Sequence, residues 1–102
     1  YPPAAHMLAV LVTGRECEKA KKLAEELAEM ARLEEKNGHL SVLGPGEACL
    51  SKLNDIYRFI FYIKSENERA LAKLRDGMEN HLQALQNRSE QVQFDVDPMN
   101  GY

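Results

Sequence analysis

Residues 56–64, Ile-Tyr-Arg-Phe-Ile-Phe-Tyr-Ile-Lys, constrain the fold of this chain more than any other stretch. They are dense in aromatic and β-branched side chains, which suit a pleated, half-buried surface. At the strand period of two they separate into Tyr57, Phe59, Phe61 and Ile63 on one face and Arg58, Ile60, Tyr62 and Lys64 on the other. The first set reads as a core face. The second mixes two cations with an aliphatic and an aromatic group, so it is neither a core nor a plain solvated surface. A strand of this kind needs other elements to cover its apolar side.

The rest of the chain offers them in a regular order. Residues 7–13 form a short apolar run rich in Val and Leu, the signature of a strand. Thr13 with Glu16 three positions later has the spacing of a capping box and predicts a helix start. Ala20, Leu23, Ala24, Leu27, Ala28 and Ala31 then recur on one helical stripe, and Asn37-Gly38 supplies a stop. Residues 39–43 read as a second strand, ended by Gly44-Pro45-Gly46, and residues 47–55 as a loop. Ser65 with Glu68 repeats the capping-box spacing before a second stripe of Leu71, Leu74, Met78, Leu82 and Leu85. Gly77 interrupts that helix at a cost of roughly 1 kcal/mol relative to Ala. Residues 91–97 form a last strand, with Val92, Phe94 and Val96 on one side, and Pro98 ends it.

The order is β-α-β-β-α-β. Two βαβ units with right-handed crossovers give an α+β, ferredoxin-like sandwich: a four-stranded antiparallel sheet with both helices on one face. At 102 residues and 44% hydrophobic content the chain suits a single domain over residues 1–102 with a real core. Its longest apolar run, residues 7–12, is far short of the ~20 residues that span a bilayer. It opens Tyr1-Pro2-Pro3 with no initiator Met, from which we expect a processed piece or an excised domain. Cys17 and Cys49 belong to no C-x-x-C pair, and both are expected to be free thiols in a reducing cytoplasm.

Enzymatic signatures are missing. No phosphate-loop motif is present, and no Lys-Ser/Thr follows Gly44-Pro45-Gly46. His6, His39 and His81 are scattered, and no Ser or Cys has a recognisable base and orienting acid nearby in sequence. Asp95 and Asp97 share a strand face, where paired carboxylates could bind a cation, but solvated acids on a strand are the plainer reading. We expect no catalytic residue, no metal and no cofactor within this chain.

The open face of the predicted sheet is the candidate site. It would carry Met7, Ala9 and Leu11, then His39, Ser41 and Leu43, then Arg58, Ile60, Tyr62 and Lys64, then Gln91, Gln93, Asp95 and Asp97. Cations interleaved with an aromatic are how single-strand binders meet phosphates and bases. The glycines of an RNA-recognition motif are absent from residues 57–63. The net charge of −3 confines any nucleic-acid contact to a local patch. The apolar members of the face, Met7, Leu11, Leu43 and Ile60, point to docking against another domain. Arg58 could alternatively pair with Asp95 or Asp97 across the sheet, and Tyr57 could be a core tyrosine.

Gly44-Pro45, Lys52-Leu53, Tyr57-Arg58, the strand end at Lys64 and the closing Asp95-Val96-Asp97-Pro98 together resemble the C-terminal domain of primosomal protein N-prime, the replication-restart helicase family PriA. Tyr1-Pro2-Pro3 resembles the entry to that domain, although Ala4 stands where the family usually has Phe or Tyr. Glu47, Ala48 and Cys49 stand where it has more Pro and Ala. The resemblance covers essentially the whole chain. It implies a fold like that of a small-subunit ribosomal protein, again ferredoxin-like, excised from the C-terminus of an ATP-dependent 3′–5′ DNA helicase of the bacterial cytoplasm. ATP, Mg and Zn would belong to the parent's other parts.

The resemblance further implies DNA, forked or branched or duplex, and the parent's own helicase lobes as partners, with other primosome or single-strand-binding proteins beside them and no membrane. Arg58, Lys64 and Lys52 would meet phosphates, and Tyr62 or Tyr57 would stack or pack. Leu11, Ile60, Asp95, Asp97 and Pro98 would serve docking. Two alternatives stand beside this reading. One is a pure protein-interaction module with no DNA contact. The other is a ferredoxin-like small-molecule regulatory domain using the Thr13-Gly14 turn.

Overall fold

A computed structural model of the chain describes residues 6–36, 40–46, 52–53, 56–85 and 89–96. The elements run β1 (His6–Gly14), α1 (Cys17–Glu35), β2 (Ser41–Leu43), β3 (Lys52–Leu53), β4 (Ile56–Ser65), α2 (Glu68–Ala84) and β5 (Gln91–Val96). The sheet order is β2-β4-β1-β5, with β3 pairing β4 off that path, and every pairing is antiparallel. Both helices pack on one face. This is the ferredoxin-like arrangement expected from the order of elements.

Complementary stripes hold the layers together. α1 buries Ala20, Leu23, Ala24, Leu27, Ala28 and Ala31, and α2 buries Leu71, Leu74, Met78 and Leu82. The sheet answers with Leu8, Val10 and Val12 from β1 and Phe59, Phe61 and Ile63 from β4. Phe61 and Ile63 on β4, with Leu8, Val10 and Val12 on β1, are almost wholly removed from water because their strands are the two central ones. Val92 and Phe94 of β5 are only partly buried against this core. Val96, expected inside, is 49% exposed, because it ends an edge strand. None of the described helices is long and apolar enough to cross a membrane.

Both capping-box expectations are corrected. Thr13 and Gly14 are drawn into β1, opposite Arg58 and Tyr57, so α1 starts at Cys17 with Glu16 as N-cap and no side-chain cap bond. Ser65 is likewise drawn into β4, opposite His6. The N-cap of α2 is Asn67, whose Oδ1 accepts from the Ala70 N–H at 3.2 Å, while Ser65 Oγ accepts from the Asn67 N–H at 2.9 Å. In both places a long-range ladder outcompetes a local cap. Within the expected loop, Lys52–Leu53 forms β3, pairing Tyr57 and Ile56.

The free-thiol expectation is corrected as well. Cys17 is disulfide-bonded. The chain's one other cysteine is Cys49, which lies outside the described residues. Motif spacing speaks to metal sites, but it does not say whether a given thiol is bonded once the chain is folded.

Candidate functional site

Alternation along β4 builds the open face. With Phe59, Phe61 and Ile63 under the helices, Arg58, Ile60, Tyr62 and Lys64 must project from the other side. The register with β1, β2 and β5 then sets their neighbours in rows. One row runs Leu43, Tyr62, Ala9, Asp95. The next runs Ile60, Leu11, Gln93, and beyond it Arg58, Thr13, Gln91. On the opposite side of the Tyr62 row lie Ser41, Lys64 and Met7.

The face therefore has an apolar centre and polar ends. Leu43 is 51% exposed and Ile60 is 42% exposed. Leu11, Met7 and Tyr62 are half-buried beside them, and Ala9, short and flanked by Tyr62 on the neighbouring strand, is buried. Arg58 and Lys64 stand at opposite ends of this centre, roughly 20 Å apart along β4. Both are exposed, and neither forms an ion pair with another described residue. Asp95 is exposed in the Tyr62 row, two rows from Arg58 and across β1 from β4, so the register does not set it against Arg58.

Of the residues singled out in sequence, Arg58, Ile60, Tyr62, Lys64 and Leu11 meet on this face, with Asp95 at its β5 margin. Tyr57 does not join them. It lies on the helix-covered side, packed against the core. Lys52 lies in β3 opposite Tyr57. Asp97 and Pro98 lie outside the described residues.

Among the described residues no group of three or more His, Cys, Asp or Glu side chains could hold a metal ion. Two features escaped sequence reading: a groove between α2 and β5, and the side-chain bonds that finish the outer edge of β2. Both depend on contacts between distant segments and leave no motif.

Residues 1–99 match the family of the primosomal protein N C-terminal domain. A curated relative, the replication restart protein PriA of Bacillus subtilis, is 26% identical over 96% of this chain. The chain spans 12% of that relative's length. Among solved structures, the de novo designed protein Foldit4 superposes with a TM-score of 0.64 at 11% identity, covering 90% of this chain and 94% of its own. A designed ferredoxin-fold protein, LFR1 1, gives a TM-score of 0.59 at 13% identity, covering 95% of this chain and 88% of its own. A hydantoinase/carbamoylase family amidase from Burkholderia ambifaria gives 0.57 at 12% identity, covering 90% of this chain and 27% of its own. At these identities the structural likeness concerns the fold alone.

Proposed function

The chain belongs to the primosomal protein N C-terminal domain family, and on that premise we propose that it is a non-catalytic accessory domain of a replication-restart DNA helicase. Its open sheet face contacts forked, branched or duplex DNA and docks against the helicase lobes of the same parent chain. ATP hydrolysis, with its Mg ion, and any Zn site belong to other parts of that parent, which works in the bacterial cytoplasm alongside other primosome components.

One observation carries the reading: an exposed apolar centre, Leu43 and Ile60, bracketed by the cations Arg58 and Lys64 on a single strand face. The apolar centre suits a protein surface, since exposed apolar groups gathered on one face mark interfaces. The bracketing cations suit phosphates, and Tyr62 between them offers a ring for packing or stacking. With a net charge of −3, affinity for DNA rests on these few positions rather than on the domain as a whole.

A salt titration tests the DNA part. The double variant Arg58→Glu, Lys64→Glu in the full-length parent is expected to bind forked DNA at least about tenfold more weakly, with the slope of log affinity against log salt reduced by about 2. Unchanged affinity and slope would overturn it. The second reading, docking without DNA contact, is favoured by the apolar centre and the negative net charge. On that reading Leu11→Ala with Ile60→Ala loosens the domain from its parent, seen as faster proteolytic release, while DNA binding of the Arg58, Lys64 variant stays at the wild-type level.

A further inference from the structure

The two edges of the sheet are finished differently. β2 forms one edge and β5 the other. At β2, the Val42 N–H donates to Glu35 Oε2 at 3.0 Å, and the Gly44 carbonyl accepts from Arg32 Nη2 at 2.9 Å. Both side chains come from the C-terminal turn of α1. A donor and an acceptor that another strand could have used are therefore already satisfied, and β2 is only three residues long. Short length and local charge are how natural sheets blunt an edge.

β5 has neither protection. It offers six residues, Gln-Val-Gln-Phe-Asp-Val, and among the described residues it pairs only with β1. Asp95 is its one charged side chain. An unpaired edge of this length exposes a row of backbone donors and acceptors, the template for adding a strand.

Beside this edge lies a groove of about 240 Å³ between α2 and the ends of β1 and β5. Buried Leu8 and Leu71 form its floor, and Val96 is half-exposed at its mouth. Glu68 and Asp76 stand on its α2 side. Arg75, which lines the groove, is already engaged with an acid. Arg75 Nε lies 2.9 Å from Glu79 Oε1, with its guanidinium over the Phe94 ring, and His6 Nε2 lies 3.9 Å from Glu68. A strand added to β5 would place alternate side chains on the α2 side, against the apolar floor. The others would project on the open side, next to Asp95.

We propose that β5 is a docking strand for an extended peptide of alternating apolar and basic residues, which adds to the free edge of the sheet and seats an apolar side chain in the α2 groove. The site meets the open face only at its β5 margin, through Asp95. It recognises its partner through backbone hydrogen bonds, one apolar pocket and, on the side where the basic residues project, the carboxylate of Asp95.

The test uses the 102-residue chain and a fluorescein-labelled Lys-Val-Lys-Val-Lys-Val-Lys peptide, followed by anisotropy. Saturable binding is expected, at least about tenfold tighter than for the Glu-Val counterpart. The variant Asp95→Lys, at an exposed position on the side where the basic residues project, should weaken it by a similar factor while circular dichroism shows the fold intact. Two N-methylated peptides supply the decisive arm, because an added strand uses the amides of one edge alone. Methylation of alternate amides should abolish binding in one peptide and leave it intact in the other. Equal binding of both methylated peptides, no saturable binding, or equal binding of the acidic peptide would overturn the proposal. So would sedimentation showing a dimer that Val96→Lys dissolves, since β5 would then hold a second copy of this chain.

Discussion

Neighbouring residues on β4 live in opposite environments. Phe61 is wholly buried beneath the helices, while Ile60, one position earlier, is 42% exposed on the open face. The strand is the same and so is the backbone ladder; what differs is whether a helix lies above. The covered face is apolar because stability requires it. The open face is apolar at Leu43 and Ile60 although nothing in the fold requires it there, and that surplus makes it a candidate for function. Its cations sit at the ends of the strand, where the apolar centre gives way to water.

The largest expected effect breaks the molecule on one face and spares it on the other. Phe61→Ala empties a site at the centre of the core and should cost about 3–5 kcal/mol. For a domain of this size that removes much of the total stability. Ile60→Ala removes a side chain that is partly in water and should cost less than about 1 kcal/mol. Urea unfolding of the two variants measures the contrast. Equal losses would mean that the open face is covered in the isolated chain, and the comparison would fail.

This contrast was legible in sequence because a period of two assigns a strand's residues to faces without any knowledge of partners. The stripes of both helices were legible for the same reason at their own period. What escaped depended on partners. Thr13 and Ser65 carry good capping signals, yet each is paired in a strand, Thr13 with Arg58 and Ser65 with His6. The ladder position extends the sheet in both cases; α1 is left with no side-chain cap bond, while Ser65 still accepts from the Asn67 N–H. β3 is two residues long, too short to show any period. Glu35 and Arg32 look like ordinary charges on a solvated helix, and only the fold brings them to the edge of β2. Of the site, the sequence could assign Arg58, Ile60, Tyr62 and Lys64 to one face. It also put Tyr57 on the core face, where the ring packs; only the family resemblance offered that ring to DNA.

The covered face persists only while its helices hold, so the next effects act through the cover. Asn67→Ala removes the side chain that accepts from the Ala70 N–H and leaves the first turn of α2 without that bond. A loss of about 1 kcal/mol is expected. Asn67→Asp keeps an acceptor at the same place and should retain most of the stability. The comparison sharpens if hydrogen exchange quickens for β5 and the first turns of α2 in Asn67→Ala while β4 opposite α1 stays protected. A uniform change across the sheet would show that the two helices do not cover it independently.

The smallest effect runs in the other direction. Gly77 lies inside α2, and a Cβ built there meets nothing within 4 Å. Its backbone is helical, so Ala adds no strain, removes freedom from the unfolded chain and raises helix propensity. Gly77→Ala should stabilise the domain by about 0.5–1 kcal/mol, read as a higher urea midpoint at constant slope. No residue of the open face changes, so affinity for forked DNA in the parent should not move. A gain in stability with unaltered DNA binding would show that the two faces are energetically separate. Stability gained at the expense of DNA binding would tie the open face to the flexibility of α2 and end the simple division between a face that folds the domain and a face that is free to bind.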